Sequence, residues 1–87
     1  MSVTKNDFRK RLQKLAREIY DETRVTSTIS MDRNNPASYL PYIWHYKLKA
    51  NDIVVPMSFN SKSLEAYTDE ALSSLLKQSI LDCEVYL

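Results

Sequence analysis

The 87-residue chain contains no glycine, although average usage near ~7% would place about six in a chain of this length. Glycine lets a backbone approach phosphate closely, so neither a GxxxxGK[ST] phosphate loop nor a GxGxxG dinucleotide turn can exist here. Nucleotide enzymes of those types are therefore excluded. Turns that need a positive φ have to use Asn or Asp, which the sequence offers at Asn34-Asn35-Pro36, Asn51-Asp52 and Asn60.

Cysteine and histidine occur once each. Cys83 has no partner for an internal disulfide, and one Cys with one His is too few for a protein-only zinc or iron-sulfur site, so we expect no metal and no other cofactor. No segment approaches the ~18 consecutive apolar residues of a membrane span. The N-terminal sequence MSVTKNDFRK lacks the apolar core of a signal peptide. These absences predict a cytoplasmic protein without membrane contact.

The stretch from Tyr39 to Phe59 holds the only Trp and is typical of a β-hairpin. Alternate residues of its two runs are apolar, the period-2 signature of half-buried strands, namely Tyr42, Trp44, Tyr46 and Leu48, then Ile53, Val55, Met57 and Phe59. A two-residue turn at Asn51-Asp52 would pair Trp44 with Phe59. A longer turn from Lys49 to Asp52 shifts the pairing by two and keeps the same faces. The pattern therefore predicts a core face with Trp44 at its centre and leaves two registers open.

Two amphipathic helices flank the strands. Thr4 is the expected N-cap of the first, with Asp7 as capping-box partner, and this helix should run from near Lys5 to about Thr23. Thr68 is the expected N-cap of the last helix. The two apolar stripes comprise Phe8, Leu12, Leu15, Ala16 and Ile19, and then Leu72, Leu75, Leu76, Ile80 and Cys83. Leu81 lies off the second stripe, which indicates either exposure or a second contact.

A short strand from Val25 to Met31 completes the order α-β-β-β-α, and Pro56 favours an edge position for the third strand. This order predicts a single α+β domain over residues 1–87, in which a three-stranded antiparallel sheet carries both helices on one face. Double-stranded RNA-binding domains share the order. They hold phosphates with lysines at the start of the second helix, where this chain has Asp69 and Glu70, so we assign it to no family.

Charge is segregated along the sequence. Residues 1–17 carry six basic side chains against one acid, whereas residues 60–87 carry two against five. The candidate residues for binding an anionic partner are Lys5, Arg9, Lys10, Lys14 and Arg17. The pairs Asp7 with Arg11, Lys14 with Glu18 and Arg17 with Asp21 have the i, i+4 spacing of ion pairs on a solvated helix. We therefore expect a solvated face, with weak nucleic-acid binding as the alternative function.

Catalysis has little support in the sequence, because His45 lies mid-strand with Lys47 and Lys49 and has no acid at strand spacing to orient it. We expect a surface histidine and no enzyme. The favoured function is an interaction module that forms a homodimer or binds another protein. Helices on one sheet face leave Ile43 and Val54 uncovered on the other, and the pattern leaves open whether the contact uses that face, the edge strand or Leu81 of the second helix. The candidate partner-binding residues are Ile43, His45, Lys47, Val54 and Leu81.

Overall fold

The computed structural model describes residues 3–32 and 41–85, apart from the side chains of residues 83–85. The elements in chain order are α1 (Lys5–Glu18), α2 (Tyr20–Thr23), β1 (Thr28–Met31), β2 (Ile43–Ala50), β3 (Ile53–Asn60), a 3-10 helix (Ser61–Ala66) and α3 (Asp69–Val85). The strands form an antiparallel sheet in the order β1-β2-β3, and α1 and α3 cover one of its faces. The predicted two-layer α-β-β-β-α architecture is confirmed. The turn predicted at Asn34-Asn35-Pro36 lies outside the described residues.

Helix α1 begins where the capping pattern predicts. The Thr4 hydroxyl accepts a hydrogen bond from the Asp7 backbone N–H at 3.0 Å, and the Asp7 carboxylate accepts one from the Thr4 N–H at 3.2 Å. The helix ends at Glu18, before the predicted end near Thr23, because Ile19 (φ −87°, ψ 2°) departs from helical geometry and α2 follows as a separate turn. Ile19 is still buried in the core, so the apolar stripe runs through the break.

The hairpin has the two-residue turn. Asn51 and Asp52 both have positive φ, at 52° and 64°, as a turn of type I′ requires. This turn pairs Trp44 with Phe59, which selects the first of the two registers. Counted from the turn, Pro56 occupies a position whose backbone N–H would point away from β2. Proline therefore costs no ladder bond there, and β3 is an edge strand as predicted.

Strand β1 is shorter than the predicted Val25–Met31. Thr28 pairs with Lys49, close to the end of β2, so the residues before Thr28 have no strand to pair with. Val25 and Ser27 are nevertheless buried like Ile29, while the residues between them are exposed. The alternating pattern of the sequence therefore extends beyond the strand.

The core lies between the helices and the sheet, with Phe8 at its centre. Its ring lies 5.0 to 6.3 Å, centroid to centroid, from the rings of Trp44, Tyr46, Phe59 and Tyr67. Tyr46 is fully buried and donates a hydrogen bond from its hydroxyl to the Lys5 carbonyl at 2.8 Å. Trp44 is only half-buried because it lies near the end of β2, so the prediction that it is the central core residue is wrong.

Helix α3 begins at the predicted cap, where the Thr68 hydroxyl accepts a hydrogen bond from the Ala71 N–H at 3.1 Å. Arg11 of α1 forms an ion pair with Asp69 at 2.7 Å, and Glu22 of α2 forms one with Lys77 at 2.6 Å. Because positions later in the first helical region meet positions later in α3, the two helices run parallel.

The buried stripe of α3 is narrower than predicted. Leu72, Leu76 and Ile80 are fully buried, but Leu75 is 44% exposed, since it lies about 100° around the helix from Leu76. The prediction for Leu75 is therefore wrong. Leu81 is exposed, which is one of the two alternatives predicted for it. The side chain of Cys83 lies outside the described part of the chain.

Candidate functional site

The sheet face turned away from the helices carries four of the five residues predicted to bind a partner. Val54 is 51% exposed, and Ile43 and Lys47 are half-buried. Leu81 lies on the outer side of α3 in the helical layer, so it does not join the other four. The predicted set therefore divides into one surface on the sheet, which we call the open face, and one isolated leucine.

His45 is on the open face but is only 6% exposed, so the prediction of a surface histidine is wrong. The ring lies between half-buried Ile43 and Lys47, its neighbours on the same face of β2, and opposite Ser58 of β3. Its Nδ1 is 2.8 Å from the Ser58 hydroxyl oxygen. Alternation along a strand predicts the side on which a residue lies, but it does not predict what surrounds that residue there.

The His45–Ser58 pair resembles the base and nucleophile of a hydrolase only in its hydrogen bond. A catalytic base needs a third group that orients it. Within residues 3–32 and 41–85, the Nε2 of His45 is buried and has no hydrogen-bond partner. The described part of the protein therefore supplies no group that orients His45 as a base.

The two edges of the sheet differ in how far side chains occupy the backbone groups that another strand could pair with. At the outer edge of β1, the Gln13 side chain accepts a hydrogen bond from the Ile29 N–H at 2.9 Å and donates one to the Ser27 carbonyl at 3.2 Å. Arg9 donates to the Ile29 carbonyl at 3.3 Å. These side chains take the place of a neighbouring strand, which closes the edge to another chain. At the outer edge of β3, the Asn60 N–H donates a hydrogen bond to the Tyr67 hydroxyl at 3.2 Å. Among the described residues, this is the side-chain hydrogen bond that protects the β3 edge.

The exposed side of α1 carries a line of cations. Lys10, Lys14 and Arg17 follow one another at i, i+4 and i+7, opposite the buried stripe, and all three are exposed. Of the other two predicted anion-binding residues, Lys5 is exposed at the start of the helix and Arg9 is half-buried against β1. The structure therefore brings three of the five together, and we call these three the basic stripe.

The i, i+4 ion pairs predicted for α1 do not form between the described residues. Asp7 is held instead by the capping box. The hydrogen bonds from Thr4 keep the pKa of its carboxyl below the usual value, and the positive charge of Lys10 also lowers it. Arg11 turns to Asp69 and to the Tyr67 carbonyl, at 2.8 Å from the latter. For Arg11 the prediction failed because a partner distant in sequence competes with Asp7 one turn away. Lys14 and Arg17 form no ion pair with any described residue, which is consistent with the small energy of an exposed pair.

A cleft of about 460 Å³ lies between the end of α1, α2 and the segment that leads into β1. Its walls are formed by Gln13, Ala16, Arg17, Tyr20 and residues 25–28. The chain turns back to form it at Arg24, whose left-handed conformation (φ 58°, ψ 21°) ends α2 with a 2.7 Å hydrogen bond to the Tyr20 carbonyl. Sequence reasoning missed this cleft, because an arginine gives no signal for a left-handed turn. The expectation that positive φ falls on Asn or Asp is therefore wrong at Arg24, and also at Asn60, whose φ is −85°.

Comparisons with known proteins identify no relative. No protein-family model matches the chain, and no curated protein or solved structure is significantly similar to it.

In the part of the chain that the structure describes, no three His, Cys, Asp or Glu side chains gather to hold a metal ion. No helix in those ranges is long and apolar enough to cross a bilayer.

Proposed function

We propose that the protein is a small cytoplasmic interaction module without catalytic activity, which forms a homodimer through the open face of its sheet. The observation that carries the proposal is Val54, a β-branched side chain left half exposed on a sheet face that neither α1 nor α3 covers. Half-buried Ile43 adds apolar surface on the same face. A domain of this size buries only roughly 60 to 65% of the surface that its unfolded chain exposes, so a partner subunit would increase its stability.

Packing face to face is favoured over pairing of edges. The edge of β1 is closed by Gln13 and Arg9. At β3, Pro56 lies in the row of backbone groups that point outward, and it has no N–H to offer another strand. A two-fold dimer on the open face needs no backbone bonds between subunits and forms a closed pair, not a fibre. Such an interface should bury at least ~1,000 Å² in total.

Light scattering after gel filtration, at micromolar protein, measures the mass directly. The expected mass is that of two chains, and Val54→Lys should reduce it to one because it places a charge in the apolar interface. Leu81→Lys is the matched control, since it adds the same charge at an exposed leucine on the helical layer. A mass of one chain at every concentration would refute the dimer, and loss of the dimer in the control alone would transfer the interface to α3.

Salt provides a second, independent test of the same proposal. Half-buried Lys47 and exposed Lys49 lie on the open face of each copy, so two copies brought together there repel each other electrostatically. Raising the salt concentration screens this repulsion and should strengthen the dimer. A dimer that weakens as salt rises would indicate an interface held by opposite charges elsewhere on the molecule.

The basic stripe supports a second candidate function, weak nucleic-acid binding. Its three cations form no ion pair among the described residues and point to solvent from one side of α1. Affinity for duplex or single-stranded oligonucleotides should lie in the ~10⁻⁴ to 10⁻⁶ M range of non-specific contacts and fall steeply with salt. Fluorescence anisotropy measures it. Nanomolar binding that is lost on reversing the charges of Lys10 and Lys14 would make this the primary function.

A further inference from the structure

We propose that the cleft between α1, α2 and residues 25–28 binds a small organic anion that carries a flat ring. Its volume of about 460 Å³ lies within the ~300 to 1,000 Å³ of small-molecule sites. One cation, Arg17, and no carboxylate are among the residues that form its walls. Arg17 makes no side-chain hydrogen bond or ion pair within residues 3–32 and 41–85, so its guanidinium is available to a ligand.

The remaining walls suit a flat ring attached to that charge. Tyr20, three residues after Arg17, presents a ring that is 42% exposed at the cleft, where another ring can stack on it. Buried Ala16 and Val25 provide apolar contact. A planar guanidinium binds a carboxylate through two parallel hydrogen bonds, which would hold the anionic group of such a ligand at one end of the cleft.

Two polar groups of the walls distinguish this cleft from a gap in the packing. Ser27 is 7% exposed, and its hydroxyl oxygen has no hydrogen-bond partner in the described ranges. The oxygen is itself buried, so it meets a ligand only after the Ser27 side chain rotates toward the cleft; because a buried hydroxyl without a partner is costly, the hydrogen bond gained there favours that rotation. Gln13, in contrast, uses its amide on the Ile29 N–H and the Ser27 carbonyl, which makes it a fixed wall.

The test is an NMR titration of the ¹⁵N-labelled protein with indole-3-acetate, compared with indole, which lacks the charge, and acetate, which lacks the ring. Indole-3-acetate should give saturable shifts at the amides of residues 16–28, with a dissociation constant on the order of 1 mM or tighter. Indole and acetate should each bind about tenfold more weakly, because each makes only part of the contacts.

Two charge variants decide whether the site is the cleft or the helix as a whole. Arg17→Gln should weaken indole-3-acetate by about tenfold, since it removes a charge-assisted contact. Lys10→Gln removes the same charge two turns away, outside the cleft, and should change the affinity by less than about twofold. Equal losses in the two variants, shifts centred outside residues 16–28, or no saturation by about 10 mM would overturn the proposal.

Discussion

Gln13 allows a test of how the sheet is closed at β1. Its half-buried side chain bonds the Ile29 N–H and the Ser27 carbonyl, two groups that would otherwise face an open edge. Gln13→Met removes both hydrogen bonds but keeps the length and the apolar stem of the side chain. Each lost hydrogen bond is worth about 0.5 to 1.5 kcal/mol. Water can reach these part-buried groups, so the variant should lose about 1 to 2 kcal/mol of unfolding free energy.

Urea denaturation followed by circular dichroism measures this loss, with Lys10→Met as the control, because Lys10 lies on the solvent side of the same helix and bonds no strand. Gln13→Glu separates the role of the side chain as an acceptor from its role as a donor. It keeps an acceptor for the Ile29 N–H but turns a carboxylate oxygen toward the Ser27 carbonyl, so it should destabilise the protein as well at neutral pH. If Gln13→Met changes the unfolding free energy no more than the control does, the side chain does not act as a substitute strand.

Substitutions at three further positions test the core and the turn at Arg24. Tyr46→Phe should cost about 1 kcal/mol at neutral pH by removing the hydrogen bond to Lys5. Burial raises the pKa of Tyr46, so the wild-type protein should lose stability as the pH rises above ~10, where the unfolded chain ionises, and the variant should lose less in parallel urea titrations. Trp44→Ala should cost about 2 kcal/mol in urea denaturation, below the ~3 to 5 of a fully buried aromatic ring, and a larger loss would restore Trp44 to the core centre. Arg24→Gly should raise the thermal midpoint, because glycine adopts the left-handed conformation without the strain of about 1 kcal/mol that a β carbon causes. Arg24→Ala keeps a β carbon and should not raise it.

The features that the sequence predicted well are those determined by neighbours along the chain. Thr4 and Thr68 cap helices because their hydroxyls reach backbone groups three residues on. The faces of the hairpin follow from period-2 alternation. Its register did not follow, since both turns keep the same faces, and it depends on the positive φ that Asn51 and Asp52 adopt.

The features that the sequence did not predict depend on residues far apart in the chain. Arg11 has Asp7 one turn away but pairs with Asp69, the first residue of α3. Gln13 has no local signal for bonding to β1, and the cleft exists because Arg24 turns the chain back along α1. The partner-binding roles of Ile43 and Val54 stay predictions, since the exposure of a side chain does not identify what it binds.

The central position of Phe8 has a consequence for biosynthesis. Its aromatic neighbours come from β2, β3 and Tyr67, so α1 leaves the ribosome well before the residues that complete its contacts. Until then the apolar stripe of α1 has no sheet to cover it, and domains fold as units. A nascent chain halted before Tyr67 should therefore expose this stripe to chaperones and proteases, and the domain should not divide into two halves that fold separately.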